Sequence, residues 1–175
     1  RVLFRSGAVM FNGGDQSLTK QVMFDGETGG AYPWKEALAE VPVIIGTSAG
    51  TAVQSGNGVP MITNGSSYNA IEYGAIAAPA PSETCLQNNS CGKHPADQLT
   101  FDTQGGLGSF SMATLDTHFS ERGRSIRLAE LAYTTKQAFA FGVDETTALK
   151  VKGEHYQVIG KHGVVVVQPL TKGRF

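Results

Sequence analysis

The chain lacks any apolar run approaching the length of a bilayer span, which excludes a hydrophobic membrane-crossing helix. It also lacks charge of one dominant sign. Fourteen Lys and Arg stand against 15 Asp and Glu, a net charge of -1, so no global field draws it to nucleic acid or to a membrane surface. Charged residues make up only 17% and hydrophobic ones 41%, which excludes a disordered chain and suits one globular domain over residues 1–175. Cysteine is scarce. The two present, Cys85 and Cys91, bracket a polar loop in a Pro-containing stretch, a spacing that suits a local disulfide pinning an insertion. A bridge implies an oxidising compartment, extracellular or periplasmic; two free thiols would leave a cytoplasmic protein as the alternative. A zinc site with His94 lacks the four close ligands such sites take, and no metal or cofactor is expected. An initiator Met, a signal peptide and a leading strand-and-helix unit are missing too. The chain opens on Arg1-Val2-Leu3-Phe4 and enters a strand at 8–11, which reads as an N-terminal truncation.

What the chain does have is glycine, 22 residues of it, and one placement carries most information. Gly46-Thr47-Ser48-Ala49-Gly50 follows the β-branched run Val41-Pro42-Val43-Ile44-Ile45. A strand that breaks into Gly-x-Ser-x-Gly reads as a nucleophile elbow, a strained turn that lifts a serine hydroxyl above a sheet. The amide that follows the serine, on Ala49, is then free to donate to an oxyanion. The rival reading is an ordinary strand-to-helix turn with a capping serine.

Four segments share one grammar, an apolar strand followed by a polar or glycine-rich cluster. They are 8–11 before Asn12-Gly13-Gly14-Asp15-Gln16, 43–45 before the elbow, 110–115 before Asp116-Thr117-His118-Phe119, and 139–143 before Asp144-Glu145-Thr146. Helical patterns lie at 33–40 and 120–136. Strands alternating with helices predict an α/β fold, a mostly parallel sheet flanked by helices. In such sheets ligands bind beyond the carboxyl ends of the strands, so the four clusters should meet at one edge. Three short β-rich runs at 148–151, 156–159 and 164–167 predict a C-terminal antiparallel meander. Residues 74–108 are rich in Gly, Pro and Asn and read as a loop insertion.

A serine needs a base to take its proton. Of four histidines, His94 sits in the insertion, and His155 and His162 lie at hairpin turns. His118 alone follows a strand of the predicted sheet, which makes it the candidate base. The acid that orients its ring must come from the same edge. Asp116 is too close in sequence to reach the far ring nitrogen, and spacing does not separate Asp144 from Glu145. The order Ser, His, acid differs from the Ser, acid, His order of α/β-hydrolases. Arg122, Arg124 and Arg127 follow the base; Arg forks bind carboxylates, although such a run also suits a solvated basic face.

These four blocks, with Arg122, Arg124, Arg127 and Leu128 in the third and Gly142-Val143-Asp144-Glu145-Thr146-Thr147-Ala148-Leu149 in the fourth, resemble cyanophycinase. That serine peptidase family also holds aspartyl dipeptidases and has a class I glutamine amidotransferase-like, flavodoxin-like fold. The resemblance implies a triad of Ser48, His118 and Glu145, and an oxyanion hole from the amides of Gly14 or Asp15 and of Ala49. It implies that Gln16, Asp116, Thr117, Arg122, Arg124 and Arg127 line the substrate pocket. It further implies a homodimer and an exopeptidase releasing β-aspartyl-arginine from cyanophycin, a poly-aspartate with arginine on each β-carboxyl. Asp116 beside arginines would suit a substrate carrying both guanidinium and carboxylate groups. Thr117 stands where the family usually has Gln, which keeps a dipeptidase or isoaspartyl peptidase as a rival. A catalytically inactive binding homologue is the reading from another class.

Overall fold

The computed structural model describes residues 6–77, 87 and 96–169. The first strand, β1 (Val9–Phe11), runs into helix α1 (Gln16–Met23). Asp15 caps that helix by accepting the Ser17 amide at 2.7 Å. Helix α2 (Pro33–Glu36) starts on Pro33, where a missing amide does no harm, and tightens into a 3-10 turn, Ala37–Glu40. Strand β2 (Ile44–Gly46) follows and breaks into the short helix α3 (Ala49–Ala52). Then come β3 (Met61–Asn64), α4 (Ser67–Tyr73), β4 (Ala75–Ala77) and β5 (Leu99–Asp102). Beyond these lie β6 (Thr114–Thr117), α5 (Ser125–Thr134), β7 (Ala140–Val143), β8 (Thr147–Lys152), β9 (His155–Gly160) and β10 (Val164–Val167).

The fold is mixed α/β, and its strands pair in both parallel and antiparallel directions. Among the described residues they pair into small sheets: β1-β2, β10-β7-β6, β3-β5-β4 and β8-β9. The pairs β1/β2, β4/β5 and β6/β7 are parallel; β3/β5, β7/β10 and β8/β9 are antiparallel. The C-terminal meander is corrected. β8 and β9 form a hairpin, whereas β10 leaves it and pairs with β7, Val164 opposite Val143 through Val167 opposite Ala140. That move puts Val167 against the main core. The loop reading of 74–108 fails at both ends. β4 and β5 lie inside it, and β5 is the central strand of its sheet, with Leu99 fully buried. Cys85, Cys91 and His94 lie outside the described residues.

The main core gathers Ile62, Leu99, Phe101, Phe119, Leu128 and Leu131 between the β3-β5-β4 sheet and α5. A second cluster, Phe11, Leu38, Val53, Met61 and Leu107, sits under β1 and α3. No helix of the described residues is long and apolar enough to cross a membrane.

Candidate active site

The elbow follows from two glycines that nothing larger could replace. A Cβ on Gly46 would stand 2.2 Å from the Gly50 carbonyl oxygen, and one on Gly50 would stand 2.1 Å from that of Phe11. Strand, turn and helix are packed backbone to backbone there. The turn holds Ser48 at φ 54 and ψ -120, a conformation an L-residue keeps only when its surroundings impose it. The same strand end is tied sideways, since the Thr47 amide donates to Phe11 O at 3.1 Å. Gly13 passes so close that a Cβ on it would lie 3.2 Å from Ser48 Cβ. Ala49 opens α3, so its amide belongs to the helix-start donors that have no partner within the helix.

His118 follows β6 directly and is also held at positive φ, 48°. Its Nε2 lies 2.8 Å from Ser48 Oγ and its Nδ1 lies 2.7 Å from Glu145 Oε1. An ionised carboxylate only accepts, so Nδ1 carries the ring proton and donates to Glu145. Nε2 is then left to accept from the Ser48 hydroxyl. The serine, imidazole and carboxylate come from the ends of β2, β6 and β7. Together with the Gly13-Gly14 turn after β1, the four polar clusters meet, as the strand grammar predicts.

Asp144 takes a different place from Glu145. Its Oδ1 accepts the Ser120 amide at 3.0 Å and its Oδ2 accepts the Gly163 amide at 3.2 Å. Hydrogen bonds from Ser120 and Gly163 hold its carboxyl below the ordinary aspartate range.

Beside the serine lies a cavity of about 290 Å³, bordered by Gly14, Asp15, Gln16, Ser48 and Ala49 on one side. Ala52, Ile62, Thr63, Asn64, Asp116, Thr117 and the three arginines complete it. Every predicted pocket residue is therefore at this cavity, Arg122 included. Arg122 belongs because α5 begins only at Ser125, which leaves 122 in the preceding turn. Gln16 anchors its amide nitrogen on Ile62 O at 2.6 Å and Thr63 O at 3.2 Å.

Asp116 is buried, 2% exposed, and its carboxylate is already engaged. Arg127 Nε donates to Oδ2 at 2.7 Å and Nη2 to Oδ1 at 2.5 Å, a bidentate fork. Arg127 Nη1 donates to Gly65 O, and Arg124 Nη1 donates to Thr117 O at 2.6 Å and reaches Asp116 Oδ1 at 3.4 Å. Asp116 thus holds the arginines rather than facing an incoming guanidinium. Burial, with Arg127 nearby, pushes the Arg124 guanidinium down to about 10.

A larger concavity of about 740 Å³ lies beside α1, lined among others by Lys20, Phe24, Asp25 and Asp102, and includes none of Ser48, His118 and Glu145. Among the described residues no three His, Cys, Asp or Glu side chains gather as a metal-ligand set. Sequence reasoning missed Thr63 and Asn64 at the cavity, and Glu121, whose Oε1 accepts the Glu145 amide at 3.1 Å. The run Val59-Pro60-Met61-Ile62 before Thr63-Asn64-Gly65 has the same apolar-then-polar grammar and would have found the first two.

No protein-family model matches the chain. Among solved structures it is similar to a peptidase from an acI-B1 Actinobacterium, with a TM-score of 0.56 and 19% sequence identity over 97% of this chain. The match covers 57% of that peptidase, so the chain spans little more than half its length. At this identity the likeness is one of fold: the architecture that carries Ser48, His118 and Glu145 is shared with a peptidase.

Proposed function

We propose that the protein is a serine-type peptidase of the cyanophycinase kind. Ser48 is its nucleophile, His118 its general base and Glu145 the carboxylate that fixes the imidazole. The observation that carries this reading is the unbroken relay from Ser48 Oγ through His118 to Glu145 Oε1, at 2.8 and 2.7 Å. In the first step Ser48 Oγ attacks the scissile carbonyl while His118 Nε2 takes its proton. The amides of Ala49 and of Gly14 or Asp15 stabilise the oxyanion. His118 returns the proton to the leaving amine, the C–N bond breaks, and an acyl-enzyme remains. Water, deprotonated by His118, then attacks the ester carbonyl; His118 returns that proton to Ser48 Oγ as the C–O bond breaks, which frees the acid and regenerates the serine.

The arginine-lined cavity supports a substrate that presents a carboxylate beside the scissile bond. In the leading reading that substrate is cyanophycin, cleaved to β-aspartyl-arginine. The engagement of Asp116 by Arg127 favours the second reading, an aspartyl or isoaspartyl dipeptidase, because it removes the anion expected to meet a guanidinium. Both readings take an extracellular or periplasmic homodimer as the working assembly. Release of β-aspartyl-arginine from cyanophycin, by wild type and by Ser48→Ala, tests the leading reading. Loss of release in the variant is expected, and equal turnover by both would overturn the triad. Hydrolysis of isoaspartyl dipeptides without release from cyanophycin would favour the second reading.

A further inference from the structure

The loop that carries the base and the loop that carries the acid hold each other by a reciprocal exchange. Asp144, from the acid loop, accepts the amide of Ser120, two residues past His118, at 3.0 Å. Glu121, from the base loop, accepts the amide of Glu145 through Oε1 at 3.1 Å. Each carboxylate therefore fixes the backbone of the opposite loop. A further pair anchors Asp144 itself: its amide donates to Gly163 O and its Oδ2 accepts the Gly163 amide, both at 3.2 Å.

This exchange acts where the backbone is most constrained. His118 stands at φ 48 and Thr146, next to Glu145, at φ 54. Neither conformation is one an L-residue chooses, so contacts from outside must maintain both. The Glu145 side chain is itself 47% exposed, so packing does little to hold it against His118. Its amide is the natural handle, and Glu121 is the group that grips it. Resting on the reading of Ser48, His118 and Glu145 as a triad, we infer that Glu121 and Asp144 are positioning residues that set the distance between base and acid.

The charges around this exchange are Glu121, Asp144 and Glu145, with His118 between the loops and His162 beside Asp144. A neutral acceptor suffices for a backbone amide. Glu121→Gln keeps a carbonyl oxygen that can take the Glu145 amide, while Glu121→Ala removes it. The two variants therefore separate the hydrogen bond from the charge. Glu121 is exposed, so neither change empties the core.

The test is the rate at which a fluorophosphonate labels Ser48, which needs no knowledge of the substrate, read beside the thermal midpoint of each protein. Glu121→Ala should slow labelling about tenfold or more at an unchanged midpoint, as a small misplacement of a catalytic group does. Glu121→Gln should label close to wild type. Asp144→Ala should slow labelling as Glu121→Ala does. Wild-type labelling with Glu121→Ala equally fast would overturn the inference alone, as would Glu121→Gln as slow as Glu121→Ala. A wild type that does not label overturns the serine reading, and this inference with it.

Discussion

Arg127 places Nε and Nη2 on Asp116 and Nη1 on the Gly65 carbonyl, so its guanidinium is fixed before any substrate arrives. Removing the buried charge that holds it should be severe. Asp116→Asn is expected to cost about 3–5 kcal/mol, the range for a broken buried ion pair, read from urea unfolding. The arginine beside it gives a pH prediction. Arg124 is pushed down to about 10, so above that pH the cavity loses one positive charge. The KM for a carboxylate substrate should therefore climb above about pH 10, and Arg124→Gln should lack that alkaline limb. The sign for stability is opposite. The folded state gives up this proton more readily than the unfolded one, so the unfolded chain binds more protons in that window and the contribution of Arg124 to stability rises with pH. Ser48→Ala should abolish fluorophosphonate labelling while leaving the thermal midpoint near wild type.

Among the elements, the elbow was the most legible in sequence because its two glycines serve backbone contacts that no side chain permits. Gly50→Ala is expected to lower the thermal midpoint and to displace Ser48, since overpacking at a backbone contact costs about 1–3 kcal/mol or more. Calorimetry beside labelling checks both effects. Helix α1 was not legible. Its apolar residues Leu18 and Val22 face outward and none of its residues is buried, so no core-facing stripe marks it. The apolar run predicts a strand over 110–115, whereas β6 forms at Thr114–Thr117, because Arg127 lets the charged Asp116 sit inside the strand. β5 was hidden in a stretch whose Gly and Pro content suggested only loop. The direction of β10 depends on a distant partner, β7, which a local pattern does not name. The choice between Asp144 and Glu145 shows the same limit. Spacing left Asp144 and Glu145 equal, and their contacts give them different places.

Taken whole, the molecule leaves a parallel strand pair with one open face. Met10 in β1, Val43 just before β2 and Ile45 within β2 stand 57%, 48% and 45% exposed. Parallel pairs are ordinarily covered on both faces, and an apolar patch of this kind promotes association. The 175-residue chain in isolation is therefore expected to self-associate, and Ile45→Lys to reduce light scattering without loss of Ser48 labelling. The distance along the chain between the hydrogen-bonded serine and histidine has a further consequence. Ser48 and His118 are 70 residues apart, and Arg127 reaches Gly65 across 62. Contacts that close such long loops form late, after local helices and hairpins. On refolding from denaturant, reactivity toward a phosphonate should therefore lag the recovery of helical circular dichroism, and Ser48 becomes a clock for the last event in folding.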